Sequence, residues 1–286
     1  VNAVASTALA RQLEPAAWAR CIVSLPSLPS AFIAAVELLN NDDASSAACI
    51  AAIERDQALT VRVLRLANSP FYGAQGQVSR IGDAVQMLGL RTVASALAAV
   101  SLQTALGSLR CKAFCFPSYW RHTLCTAIAA RDLAQVASLD ASEAFLLGLL
   151  HDVGKLILAM THPDLESQAL QLVQSDGIAM HEAEQQLFGV THAEVGAVVA
   201  KQWNFPASFA EAIADHHRPE PAPAGHSPDF PLLIYLANQM AHGLETPPEL
   251  EARLKHPLWS SLGTSDQQLQ ALAEQVGTEL QIMSCA

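Results

Sequence analysis

Apolar residues recur along this chain at intervals of three and four almost from end to end, the spacing that gives an α-helix one buried face. Phe32, Ile33, Val36 and Leu39 form one stripe, and Asp42 and Asp43 stand where they would cap a helix over Ala47–Ile53. Leu59, Val63 and Leu66 continue the pattern until Pro70, Gly73 and Gly76 end it. Ile81, Val85 and Leu88, then Val93, Leu97 and Val100, follow with a break at Gly89. Further helices are predicted over 118–137, 141–160, 165–174, 180–188, 191–203 and 207–217. Residues 218–231 hold five prolines and read as a rigid loop, after which helices are expected over 231–243 and near 265–283. No segment alternates with period two, so no strand is expected and the fold class is all-α.

A softer break near 107–117, at Gly107, Cys111, Cys115 and Pro117, divides the helices into two halves. With 286 residues the chain accommodates one large domain or two ordinary ones. Its 51% hydrophobic and 15% charged content supports a large core and excludes disorder over most of the length. Sixteen basic against 27 acidic residues, a net charge of −11, argue against general binding to a phosphate backbone, so no nucleic-acid partner is expected. No run reaches the ~18 uninterrupted apolar residues of a membrane span, and the N-terminus lacks the pattern of a signal peptide. Six scattered cysteines read as reduced thiols. A cytoplasmic protein without a membrane partner is therefore expected. Because the chain begins at Val1 and not at Met, it reads as a piece of a longer protein.

All ten histidines lie C-terminal to the break. His122 falls inside a helix near Trp120, His151 and Asp152 are adjacent in Gly-Leu-Leu-His-Asp-Val-Gly-Lys, His192 opens a helix, and His216-His217 close one. Imidazole and carboxylate are the usual ligands of first-row metals, and a buried aspartate in an apolar helix needs a partner or a metal. Lys155, one turn beyond His151, is placed to hold an anionic group such as phosphate. Taken singly, His122 also reads as a core histidine and His216-His217 as a helix end favoured by the helix dipole. His162, His181, His226, His242 and His256 lie beside Pro, Gly or helix ends and are expected at the surface.

The order His122, His151-Asp152 with Lys155, His192, His216-His217 resembles the HD superfamily. The N-terminal half resembles its HD-related output domain, HDOD: Leu25-Pro26-Ser27-Leu28-Pro29, Arg55 to Thr60, Leu64 to Gly73 with Asn68-Ser69-Pro70, and Ile81 through Ala84 to Leu88-Gly89 match that signature in order. Trp120-Arg121-His122, Ala144 to Lys155, Trp203-Asn204-Phe205-Pro206 and His216-His217-Arg218-Pro219 continue it. The resemblance covers roughly 20–245. It implies an HD-superfamily-like helical bundle with an N-terminal helical subdomain packed on it. The organisation expected is an extension over 1–19, an HDOD domain over 20–245 with halves 20–110 and 115–245, and a C-terminal helical extension over 246–286.

HDOD domains are bacterial output modules, often placed after receiver domains, whereas related HD-GYP proteins are metal-dependent hydrolases of cyclic di-GMP. The resemblance implies a site for a divalent metal at His122, His151, Asp152, His192 and one of His216 or His217, with Asn238 at its edge as a neutral, weaker ligand; mixed imidazole and carboxylate ligation suits iron, manganese, zinc or nickel. The chain departs from the catalytic pattern in three places. The 218–231 segment has no Gly-Tyr-Pro, Asn238 stands at the position of the late aspartate, and Ser118 stands where some HD-GYP sites carry glutamate. The function expected is a non-catalytic module in signal transduction that acts through signalling proteins, an upstream receiver domain among them, with a degenerate metal site. The alternative is a metal-dependent phosphohydrolase acting on a nucleotide or cyclic dinucleotide, with Lys155 catalytic only in that case.

Overall fold

The structure, a computed structural model, describes residues 29–39, 45–55, 57–68, 78–106, 114–220 and 228–285. Among them are fifteen α-helices, one 3-10 turn and no strand, as the hydrophobic period implies. The expected caps Asp42 and Asp43 and residues 69–73 of the Leu64–Gly73 motif lie outside the described residues. Ser45 is the observed cap before Ala47, its Oγ accepting from Ala47 N at 3.2 Å.

The chain divides into two compact units, one centred on Leu150–Arg218 and one formed by Ser27–Ser108, Pro117–Leu149 and Pro219–Ala286. The larger unit begins with α1 (Ser30–Leu39), α2 (Ser46–Glu54), α3 (Gln57–Ala67), α4 (Ile81–Leu88) and α5 (Leu90–Leu106). Here α1 packs on α5, and α2, α3 and α4 pack on one another and on α5. Phe32, Ile53, Val63, Ile81 and Leu97 form the buried face. Asn68, at the end of α3, ties this helix to Val78: its Nδ2 donates to Leu64 O at 2.9 Å and Val78 O at 2.7 Å, and its Oδ1 accepts from Val78 N at 2.9 Å. The asparagine is thus a backbone clasp that closes the end of α3.

The same unit holds α6 (Phe116–Ala137) and α7 (Ala141–Leu150) almost entirely, then α13 (Phe230–Glu245), α14 (Pro247–Leu254), a 3-10 turn (Pro257–Leu262) and α15 (Asp266–Cys285). Pro247-Pro248 start α14, because a proline in the first turn lacks only a donor that has no intrahelical partner there. The C-terminal helices pack on α13 and are also joined to α6 through charge. Arg131 on α6 donates two parallel bonds to Glu279 on α15, at 2.8 and 2.7 Å, and two more to Asp132 Oδ1. Glu279 is fully buried and Asp132 nearly so.

The smaller unit contains α8 (Val153–Thr161), α9 (Pro163–Asp176), α10 (Met180–Phe188), α11 (His192–Gln202) and α12 (Ala207–Asp215). Its core joins Val153, Ile157, Leu158, Ala169, Phe188, Val195 and Val199. Helix α11 packs on both α8 and α12. A Cβ on Gly154 would lie 1.9 Å from the His192 carbonyl oxygen, so only glycine permits the approach of α8 to the start of α11. Thr191 and Glu194 set that start by capping each other's backbone: Thr191 Oγ1 accepts from Glu194 N, and Glu194 Oε2 accepts from Thr191 N. Across the boundary of the units, the Ala141–Thr161 stretch has the length and hydropathy to cross a membrane, and 83% of its most apolar window is buried inside the protein.

Candidate metal centre

His151 and Asp152 lie at a break and not inside a helix. The apolar period runs on through 141–160, but α7 stops at Leu150, two turn residues follow, and α8 starts at Val153. Asp152 occupies the N-cap position of α8 without a side-chain cap bond. Its Oδ2 accepts from Lys155 Nζ at 2.6 Å and lies 3.4 Å from His151 Nε2. Its Oδ1 lies 3.2 Å from His192 Nε2 and 3.8 Å from His216 Nε2. His217 Nε2 approaches His192 Nε2 to 2.8 Å. His151, Asp152, His192 and His216 are each at most 1% exposed.

The partners of the ring nitrogens decide which atoms offer lone pairs. Glu184 Oε2 on α10 accepts from the backbone N–H of His192 at 2.7 Å and faces His192 Nδ1 at 2.6 Å. That short contact assigns the proton to Nδ1 and leaves Nε2 for an ion. His216 Nδ1 faces the Ile213 carbonyl at 2.6 Å, which assigns its proton in the same way, and its buried Nε2 makes no hydrogen bond. Asp152, His192, His216 and His217 each present a ligand atom, all within 4.8 Å of one another. Mixed imidazole and carboxylate ligation suits a first-row divalent ion, and the orphaned nitrogen of His216 fits one. The residues present therefore fit the metal that the resemblance implies.

Electrostatics sharpen the arrangement. Burial pushes the Asp152 carboxyl up, but the charges of His151 and Lys155 and the close imidazoles of His151 and His192 outweigh it and hold it well below the usual carboxylate range. Burial, reinforced by the neighbouring imidazoles, pushes His216 and His217 well below the usual imidazole value, the neutral state a ligand needs. Burial also pushes His192 down, but the Glu184 carboxylate and the contact with Asp152 more than reverse this. In the four-residue group Asp152 is the one carboxylate, and Lys155 already pairs with it. Lys155, expected to meet an anionic ligand, is thus bound to a candidate ligand of the metal.

Two acids here escape sequence reading. Glu184 precedes His192 by eight residues, and only the fold of α10 onto α11 brings it there. Glu166 on α9 is 2% exposed, and its Oε2 makes no hydrogen bond. Burial, and after it the charge of Glu184, raise Glu166 from 4.5 to about 7. Its folded pKa stands above its unfolded value, so its ionisation costs stability as pH rises from about 4.5 through about 7. Glu166→Gln is expected to remove up to about 3 kcal/mol of the stability loss between pH 5 and pH 8. Urea unfolding of both proteins at the two pH values checks this, and parallel pH profiles would refute it.

His181, expected at the surface, is half-buried and stacks on His217 with ring centres 4.5 Å apart. A cavity of about 710 Å³ opens beside this pair, lined also by Ile178, Thr191, Ala193 and Arg218.

The larger unit carries the other two expected ligands, His122 and Asn238, both buried. His122 Nδ1 on α6 lies 3.2 Å from each carboxylate oxygen of Glu245. Asn238 lies on α13, and its Oδ1 makes no hydrogen bond. His242, also expected to be a plain surface residue, contacts Glu245 Oε2 at 3.6 Å. Burial pushes Glu245 up, but interactions with His122 and His242 prevail and bring it to about 2. Ser118 is exposed in the first turn of α6. His256 caps the 3-10 turn, and His226 lies outside the described residues.

A family model for the HDOD domain matches residues 25–219. Among solved structures, an HDOD domain protein of unknown function from Geobacter sulfurreducens is 26% identical with a TM-score of 0.77, covering 93% of this chain and 97% of that one. A Shewanella amazonensis protein whose name proposes a phosphohydrolase is 26% identical with a TM-score of 0.71, over 93% and 98% of the two chains. The MmoQ response regulator of Methylococcus capsulatus is 32% identical with a TM-score of 0.51, over 87% and 98%. An uncharacterized protein of Treponema pallidum is 27% identical over 209 residues; these make up 72% of this chain, which spans 40% of that relative's length.

Proposed function

This chain belongs to the HDOD family, and from that membership we propose that it is a non-catalytic output module of bacterial signal transduction that retains a degenerate site for one divalent metal. In this reading residues 20–245 act as the HDOD domain, 246–286 are its helical extension, and the partners are cytoplasmic signalling proteins, an upstream receiver domain among them. The similarity to a response regulator supports the signalling role.

The observation that carries the non-catalytic reading is the pairing of Lys155 Nζ with Asp152 Oδ2 at 2.6 Å. A centre that hydrolyses phosphodiesters with two divalent ions needs anionic ligands to offset their charge. Asp152 is the one carboxylate in the His192, His216 and His217 cluster, and a lysine already compensates it. Asn238 and Ser118 supply no charge at the two positions where the catalytic pattern has acids. One ion at Asp152, His192, His216 and His217 remains compatible with this balance, with iron, manganese, zinc and nickel as the candidates. His151 and the two expected ligands of the larger unit, His122 and Asn238, belong to this proposal through the family resemblance.

The phosphohydrolase reading draws on the same cluster and on the cavity beside it, which Arg218 and Glu182 line together with His181 and His217. When bound, a divalent ion supplies Lewis-acid chemistry at a phosphoryl group. In that reading Arg218 holds the phosphate, His192 is fixed in orientation by Glu184, and Lys155 leaves Asp152 to stabilise charge on the substrate.

Elemental analysis of protein purified without added metal tests the site itself. Asp152→Ala is expected to remove about one equivalent of divalent metal and His216→Ala to do the same, since each provides one of the four ligands. Equal metal content in wild type and both variants would contradict the proposal.

A further inference from the structure

A cavity of about 200 Å³ lies within the larger unit, walled by α5, α6, α7 and α15. It shares no residue with the Asp152 cluster or with the cavity beside His181 and His217. We propose that it binds a small organic monocarboxylate, with the acid group held at Arg91 and Ser95 and the apolar body against Phe145 and Met283. The proposal goes beyond the reading as an output module and does not rest on metal binding anywhere in the chain.

Charge sets the sign of the ligand. The lining holds two guanidinium groups, Arg91 and Arg131, and one carboxylate, Glu279. Arg131 is already compensated, since Glu279 accepts from it at 2.8 and 2.7 Å and Asp132 Oδ1 accepts from its Nε and Nη2 at 2.8 and 2.6 Å. Arg91 is held less firmly. Its Nη1 donates to Ser142 Oγ at 2.9 Å but stands 3.3 Å from Asp140 Oδ2, longer than the roughly 2.7–2.9 Å of a good charge-assisted bond. The other oxygen of Asp140 accepts from the backbone N–H groups of Ser142 and Glu143, at 2.8 Å each, and so caps α7. Arg91 and Asp140 are 46% and 47% exposed, and an exposed pair of this kind contributes little. A ligand carboxylate can therefore replace Asp140 on Arg91 at small cost.

Ser95 points to a ligand independently of charge. It lines the cavity, is 7% exposed, and its hydroxyl hydrogen-bonds to none of the described residues. A buried hydroxyl without a partner is costly, and a ligand carboxylate supplies the missing acceptor. Ser95 stands one turn beyond Arg91 on the same face of α5. The first turn of α5 carries no acid, so the positive end of its dipole favours an anion beside Arg91 and Thr92, which also lines the cavity. Size and the apolar wall restrict the rest of the ligand. Phe145 and Ala96, 1% and 2% exposed, form that wall with Met283. A dry cavity of about 150 Å³ admits benzene, so this one accommodates a body of that size with one carboxylate. It is smaller than the roughly 300–1,000 Å³ of sites for larger organic ligands. Because Glu279 and Met283 belong to α15, a ligand held here joins α15 to α5 and α7.

The test is calorimetric titration of the full chain with benzoate, and with benzamide as its uncharged counterpart. The proposal expects saturable binding of benzoate to the wild type, with benzamide bound at least about tenfold more weakly. Arg91→Gln is expected to weaken benzoate by about tenfold, since it removes a charged donor. Ser95→Ala should weaken it by a smaller factor. Asp152→Ala and Arg218→Gln, at the metal cluster and the other cavity, should bind benzoate as the wild type does. Arg91 is exposed, and the Ser95 hydroxyl holds nothing in the protein, so both variants should fold, and their melting temperatures without ligand check this. Benzoate should also slow proteolysis of α15 in the wild type and not in Arg91→Gln. Absence of saturable benzoate binding to the wild type would overturn the proposal and leave the cavity to water. Binding unchanged in Arg91→Gln, or lost in Asp152→Ala or Arg218→Gln, overturns it by placing the carboxylate elsewhere. Equal affinity for benzamide overturns it as well, since charge is then not recognised.

Discussion

Gly154→Ala is expected to abolish the native arrangement of the Leu150–Arg218 unit. The added Cβ would fall 1.9 Å from the His192 carbonyl oxygen, 2.8 Å from its carbonyl carbon and 2.9 Å from Gly196 N, all of them backbone atoms. Rotamer changes cannot relieve such an overlap, so α8 must move away from α11. That movement opens the core built on Val153, Val195 and Val199. It also separates Asp152 from His192, now 3.2 Å apart. Overpacking a tight site costs about 1–3 kcal/mol where side chains can yield, and backbone contact places this substitution at or above the upper end. Insoluble expression, or a melting temperature lowered by about 5 °C or more together with loss of bound metal, is the expected outcome. An unchanged melting temperature and metal content would show that the close approach of α8 and α11 is not required.

Glu279→Ala is expected to cost about 3–5 kcal/mol, the usual effect of removing one partner from a buried ion pair. The carboxylate is fully buried and receives two parallel bonds from Arg131, which then has Asp132 alone to offset its charge. The loss falls on the junction of α15 with α6, so the C-terminal helix should become accessible to protease before the rest of the chain does. Glu279→Gln keeps the shape and one acceptor, and should cost less than half as much. Urea unfolding with limited proteolysis checks both, and an alanine variant within 0.5 kcal/mol of wild type would count against a stabilising role for this junction.

Much of the helical framework was legible because one buried face per helix writes a 3.6-residue period into the sequence. The expected 180–188, 191–203 and 231–243 segments correspond to Met180–Phe188, His192–Gln202 and Phe230–Glu245. The break at His151-Asp152 was not legible. Leu149, Leu150, Val153 and Leu156 are all buried, so the apolar pattern continues through the turn, and the two turn residues themselves are neither glycine nor proline. Helix α14 is not legible in the sequence because Pro247-Pro248 has the look of a break, whereas the two prolines occupy its first turn. In the candidate site, the histidines and Asp152 were readable from their types and order. Glu184, Glu166 and Glu245 were not, since acidic residues on amphipathic helices look like solvated faces until tertiary packing buries them. Lys155 was placed near the site, but its pairing with Asp152 depends on the turn that the sequence does not announce.

The central claim is that this HDOD chain keeps a metal-competent cluster without hydrolytic turnover. The most direct test is hydrolysis of cyclic di-GMP and of nucleoside phosphates by protein loaded anaerobically with manganese or iron, beside Asp152→Ala. The account predicts no turnover above the metal-only background in either protein, even when the wild type carries its ion. Turnover by the wild type that disappears in Asp152→Ala would contradict it and establish the chain as a phosphohydrolase.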